Sequence, residues 1–213
     1  MEKECRLVSD KLRSEFSSLK NDATKYQWML AATSILLKDD VSASTVLLPF
    51  IEHHSAAVLK MVFSLVEDQT ELCVVALRFL ASVFTSTCCW ENSQFHVAFC
   101  ASPADYIPVL VGLGKTNDPS LSPFLLMTLS SLACGPCANR FSVLFAVHGD
   151  ADAIRLIMKF LSIADRRSTA MDVLSGFMNV KEGIRLCRKY SSAISEAVLG
   201  TQLEYQWKLV NKL

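Results

Sequence analysis

The sequence predicts an all-α fold, on three observations. Apolar residues recur at i, i+3, i+4 and i+7 through almost the whole of the 213 residues, and strict strand-like alternation is rare. Only seven Gly and six Pro are present, too few for a chain of many hairpin turns. Helix starts carry recognisable caps, and neither strand–helix alternation nor a Gly-rich phosphate loop interrupts them. The expectation is about a dozen helices of roughly 9–18 residues with short connections.

The elements follow in chain order. The opening MEKECRLVSDKLRSEF predicts a lead-in helix over 1–20, and a second helix is expected over 22–37. In AAVLKMVFSLVED, Val58, Met61, Val62 and Leu65 share one side of a helix. Asp68-Gln-Thr-Glu71 then has capping-box spacing ahead of LCVVALRFLASVF. Ser102-Pro103-Ala-Asp105 combines an N-cap, a first-turn proline and an acidic residue suited to a helix start. Asp118-Pro119 offers the same cap-and-proline signal before PFLLMTLSSLAC. In ADAIRLIMKFLSIAD, Ile154, Ile157, Met158 and Leu161 again form one stripe. Gly114, Gly135, Gly149 and Gly200 fall where helices should stop. The last predicted helix is TQLEYQWKLVNKL.

An internal repeat runs through these elements. Ala32-Thr-Ser-Ile35, Leu80-Ala-Ser-Val83, Leu129-Ser-Ser-Leu132 and Leu174-Ser-Gly-Phe177 each end a helix, at spacings of roughly 48, 49 and 45 residues. Small residues inside each phrase would let neighbouring helices approach closely. The stretch LMTLSSLACGPCANRFSVLFAVHGDADAIRLIMKFL resembles an armadillo repeat junction. Leu129–Ala133 matches the end of that family's third helix, Asn139 its loop residue, and Asp150–Leu161 its second helix. Residues 105–114, DYIPVLVGLG, resemble the second helix as well, with Pro108 at the family's proline position.

The resemblance implies a right-handed superhelix of stacked helical repeats, about four units in a single domain over 1–213. Lead-in helices would occupy 1–37, and repeats would span about 43–86, 91–134, 139–179 and 181–213. Each unit would gain stability by stacking on its neighbours. In armadillo proteins of the importin and catenin kind, third helices present a repeated Trp and Asn to an extended peptide. Here the Trp positions hold Leu30, Arg78, Met127 and Asp172, and the Asn positions hold Ser34, Ser82, Ser131 and Gly176. Only Trp207 and Asn211 restore both residues. Arg78, Met127 and Asp172 are therefore expected on a groove that takes a ligand of another kind.

Composition narrows the function classes. Lys plus Arg and Asp plus Glu both total 21, which argues against bulk attraction to nucleic acid or anionic membranes. No apolar run approaches the ~18 residues a membrane helix needs, and the polar N-terminus resembles neither a signal nor a transit peptide. Eight cysteines in such a chain are expected to be reduced, which places it inside the cell, in cytoplasm or nucleus.

Cys134-Gly-Pro-Cys137 has the letters of a thioredoxin site, but a helix rather than a strand precedes it, so it is read as a turn. Zinc sets built from Cys134, Cys137 and His148, or from Cys88, Cys89, His96 and Cys100, lack paired clusters at defined spacing. Glu52-His53-His54 is not the zinc-protease motif, and Asp39-Asp40 and Asp150/Asp152 read as helix-boundary acids. With no G-x-S-x-G elbow either, no catalytic residue, metal or cofactor is assigned, and the chain is read as a non-enzymatic adaptor or scaffold.

Two surfaces remain. Lys181, Arg185, Arg188 and Lys189 form a basic stripe that Arg166 and Arg167 could extend, suited to an acidic or phosphorylated protein partner. Only Tyr190 interleaves these charges, which disfavours nucleic acid. From Leu72 to Cys134 charges are sparse and aromatics frequent, including Phe79, Phe84, Trp90, Phe95, Phe99, Tyr106 and Phe124. Most are expected in the core; a surplus would support self-association, or assembly into a larger complex.

Overall fold

A computed structural model describes residues 2–38, 43–66, 71–116 and 118–198. Among these residues the regular structure is helical and no strand occurs. The helices are α1 (Glu2–Glu15), α2 (Asp22–Leu36), α3 (Leu48–His53), α4 (Ser55–Val66), α5 (Glu71–Thr87) and α6 (Gln94–Ala101), followed by α7 (Pro103–Lys115), α8 (Ser122–Cys134), α9 (Ala138–Leu161), α10 (Arg167–Met178) and α11 (Lys181–Lys189). A further helical stretch occupies 191–198. No single described helix is long and apolar enough to cross a membrane.

Local chemistry sets the boundaries. Asn21 starts α2: its side chain accepts from the Thr24 amide at 2.9 Å, while the Thr24 hydroxyl reaches back to the Asn21 amide. Ser102-Pro103 starts α7 as expected, although the Ser102 side chain makes no cap bond. At Asp118 the expected cap becomes a turn, because the carboxylate accepts from Ser120 N and Oγ instead. Helix α8 therefore begins later, at Ser122, with Pro123 in its first turn. Asp68, Gln69 and Thr70 of the expected Asp68–Glu71 cap, Asp39-Asp40 and Gly200 lie outside the residues whose structure is described.

The glycine stops at 114 and 149 fall within one residue of helix ends. Gly114 lies within α7, where its lack of a Cβ leaves room for the Leu156 side chain of α9. Gly149 ends the first arm of α9: the non-helical residue is Asp150, whose φ of 41° divides α9 into two arms, 138–149 and 151–161. The first predicted helix is also too long, since α1 gives way to a 3-10 turn at Phe16–Ser18.

Short helices meet at sharp corners, and a long helix follows each corner. The bend between Thr45–His53 and Ser55–Val66 is 85°, and that between Gln94–Ala101 and Pro103–Lys115 is 91°. Helices α5 and α8 follow these corners, and α10 follows the break in α9. The helices that end in the repeated phrases pack in series: α2 on α5, α5 on α8, and α8 on α10. A second set of contacts joins α4 to α6 and α7 to α9.

The core between these sets is rich in aromatic rings. Trp28 meets Phe16 at 5.3 Å and Phe79 at 5.6 Å, and its indole N–H donates to the Leu12 carbonyl at 2.8 Å, which fixes α1 on α2. Phe99 touches Phe84, Tyr106 and Phe141, and the row continues through Phe145 to Phe177. Burial of each such ring contributes about 1.5–3 kcal/mol. The aromatic excess of the middle segment is therefore core: Phe79, Phe84, Phe95 and Phe99 are fully buried, while Trp90 and Phe124 keep partial exposure.

Candidate partner-binding faces

The packing of α5, α8 and α10 depends on small residues at the contacts. Thr85 Oγ1 and Ser131 Oγ lie 3.0 Å apart across α5 and α8. A Cβ built on Gly176 of α10 would stand 3.0 Å from the Ala133 carbonyl oxygen of α8, so only glycine fits that approach without adjustment. Arg78 of α5, Met127 of α8 and Asp172 of α10 are each exposed.

Arg78 also makes a contact across to α8. The Arg78 guanidinium stands 5.9 Å from the centre of the Phe124 ring, a cation–π contact of about 0.5–1 kcal/mol at an exposed site. It connects α5 to α8 and leaves the guanidinium N–H groups able to bind an acceptor. Met171 and Met178, separated by two turns of α10, are exposed apolar side chains that the sequence reading did not select. Their i, i+7 spacing was the available signal.

Other expected groove positions fare differently. Leu30 is half-buried and Ser34 exposed. Ser82 is buried and its hydroxyl donates to the Arg78 carbonyl at 2.9 Å, so it is spent within its own helix. Ser131 is engaged with Thr85, and Gly176 is pressed on Ala133. Trp207 and Asn211 lie outside the described residues.

The basic stripe is built on α11. Val180 enters the helix in extended conformation, Glu182 lies in the first turn, and Arg188 and Lys189 lie in the last, an order that suits the helix dipole. Lys181, Arg185 and Arg188 are exposed and surround Ile184, and the four side chains line a cavity of about 470 Å³. Lys189 diverges, with its ammonium 5.6 Å from the centre of the Tyr190 ring. Arg167 is turned away to another task, donating from Nε to the Leu161 carbonyl at 3.2 Å at the end of α9.

The cysteine motif is a turn. Cys134 is the last residue of α8, Gly135 caps it, and α9 begins at Ala138. Cys134 thus sits at a helix C-terminus, whereas a thioredoxin-type nucleophile needs the N-terminus. Burial and the nearby Asp172 carboxylate both push its thiol up. Cys137 is half-buried beside Cys100, whose thiol is pushed up to about 12, mainly by burial. Gly135 packs on the His96 ring, where a Cβ would overlap the imidazole.

Several other polar groups have structural partners. Glu52 accepts hydrogen bonds from Ser93 Oγ and the backbone amides of Gln94 and Phe95, closing the start of α6. His54 rests on the Phe50 ring at 4.6 Å. Asp152 pairs with Lys115 at 2.7 Å and Arg155 at 3.0 Å, and the Lys115 hydrogen bond contributes most to holding its carboxyl below the usual range. Among the described residues no three His, Cys, Asp or Glu side chains converge closely enough to hold a metal ion. In comparisons with family models, curated proteins and solved structures, the chain matches none.

Proposed function

We propose that this chain is a non-catalytic interaction module of armadillo-like architecture, an adaptor or scaffold that binds a protein partner on a rigid helical surface. On this reading α2, α5, α8 and α10 are the third helices of stacked repeats, and the corners before them are the first and second helices. The cytoplasm or nucleus would be its compartment.

The observation that supports the reading is the packing series α2–α5–α8–α10, in which Arg78, Met127 and Asp172, one on each of three successive helices, are exposed; we take them as one row. A pre-formed row of this kind loses little ordering entropy when a peptide or helix docks. Its mixture of a cation, a thioether and a carboxylate suits a partner with both apolar and charged contacts. The α11 cavity, lined by Lys181, Arg185 and Arg188 around Ile184, supports a second contact for an acidic segment of that partner.

The test is affinity capture with the parent chain, an Arg78→Glu/Met127→Glu variant and an Arg185→Glu/Arg188→Glu variant, with mass-spectrometric identification. The reading expects one protein retained by the parent and lost by the first variant, with weakened retention by the second. A partner lost only with the second variant moves the site to α11. A chain that captures only further copies of itself, with sedimentation showing a concentration-dependent oligomer, replaces the adaptor reading with a self-assembling subunit.

A further inference from the structure

We propose that Cys88 and Cys89 are a vicinal dithiol site for low-molecular-weight disulfides of the glutathione type, and that the pair closes reversibly to a Cys88–Cys89 disulfide. Helix α5 ends at Thr87, and the two cysteines occupy the turn that follows. Their sulfurs are 3.7 Å apart. Cys89 is exposed and Cys88 half-buried, so one thiol meets the reagent while the second waits in contact with it.

The other described thiols lack this combination. Cys73, Cys100 and Cys187 are buried and Cys137 is half-buried beside Cys100; Cys134, at the end of α8, is exposed and near enough to Cys88 to push its thiol up, but the sulfur in direct contact with Cys88 is that of Cys89. Within the pair, burial pushes the Cys88 thiol up, and Cys89 adds to that effect, which leaves the exposed Cys89 to react first.

The chemistry balances without a further oxidant. Cys89 loses its proton, and its sulfur attacks one sulfur of the small disulfide. That S–S bond breaks, and the first small thiol leaves with a proton. Cys88 then loses its proton and attacks Cys89 Sγ, expelling the second small thiol. Two protein thiols are oxidised and one small disulfide is reduced to two thiols.

Closure strains the turn. Sulfurs at 3.7 Å need side-chain rotation to reach the bonding distance of about 2.05 Å. Adjacent Cα atoms are only about 3.8 Å apart, below the usual range for disulfides, so the closed ring is strained and readily reopened by thiols. The turn is spanned by Trp90 N donating to the Thr87 carbonyl at 3.0 Å and by a longer Cys88 N to Thr85 contact at 3.5 Å.

The experiment treats the full chain with oxidised glutathione, blocks remaining thiols with iodoacetamide, and maps peptides by mass spectrometry. Residues 88 and 89 are expected unalkylated and two hydrogens lighter, with recovery of both thiols on adding reduced glutathione. Cys88→Ser should halt the reaction at a stable glutathione adduct on Cys89. Cys89→Ser should slow loss of the Cys88 thiol by about tenfold or more, since the accessible nucleophile is gone. Recovery of both cysteines alkylated overturns the proposal, as does a disulfide linking either of them to Cys134 or an unaltered rate in Cys89→Ser.

Discussion

Glu52 accepts a hydrogen bond from the Ser93 hydroxyl at 2.6 Å, and through it a residue of α3 closes the N-terminus of α6. The second carboxylate oxygen takes the backbone amides of Gln94 and Phe95. Ser93 Oγ in turn accepts from the His96 amide at 3.4 Å, a longer cap bond. Glu52→Ala is expected to destabilise the chain by about 1–3 kcal/mol, because donors on the buried residues Ser93 and Phe95 lose a charged acceptor. Glu52→Gln, which keeps one acceptor oxygen, should lose less. Urea unfolding gives the stabilities, and amide exchange at Gln94 and Phe95 should accelerate in Glu52→Ala. Unchanged exchange at those two amides would show that the carboxylate is not their cap.

Gly183 marks the tightest helix contact, for a Cβ there would overlap the Phe177 carbonyl oxygen at the end of α10. The obstruction is backbone, so it cannot rotate aside. Gly183→Ala should therefore cost about 1–3 kcal/mol through overpacking, despite alanine's better helix propensity. Gly112 is the control, since nothing lies within 4 Å of its Cβ position. Gly112→Ala should stabilise by about 0.5–1 kcal/mol. Opposite shifts in the urea midpoint are expected, and equal shifts would place the α10–α11 contact elsewhere.

These two glycines mark the limit of what the chain reveals in one dimension. Periodicity located the helices because each must bury an apolar stripe, and Val58, Val62 and Leu65 do so. The repeated small-residue phrases also pointed to close helix approach, realised at Ser131 and Gly176. Exposure of Arg78, Met127 and Asp172 could be read from their places relative to those phrases. The Glu52 cap was not legible, because its donors are more than forty residues away and local spacing carries no trace of them. The helix stop at Gly149 was legible, but which residue turns the chain was not: glycine usually supplies a positive φ, yet here the aspartate beside it does.

Lys159 is a cap of the same long-range kind. Its ammonium donates to the Gly114 and Thr116 carbonyls, each at 2.8 Å, at the C-terminus of α7. Lys159→Met keeps the apolar stem and removes the donors, and should cost about 1–3 kcal/mol. Thermal melting is the readout, with a shift of about 2–4 °C expected for each kcal/mol in a domain of this size. A melting point equal to the parent's would show that water serves those carbonyls equally well.

His96 gives the fold a pH dependence whose sign is set by burial. The ring is fully buried against Gly135 and edge-on to Phe84 at 5.0 Å, and neither ring nitrogen has a hydrogen-bond partner of good geometry. Burial lowers its pKa from 6.5 to about 4. The unfolded chain therefore takes up a proton as pH falls through 6.5, while the folded chain resists until about 4. Stability from the neutral ring is complete above that window and is lost progressively within it, to a total of roughly 3 kcal/mol. Urea unfolding of the parent and His96→Leu, at about pH 7.5 and about pH 5, isolates this contribution from the carboxylates. The parent should lose about 2 kcal/mol more than the variant between those two conditions. Parallel losses would mean that the folded chain admits the proton, and that a partner for the imidazolium exists inside the fold.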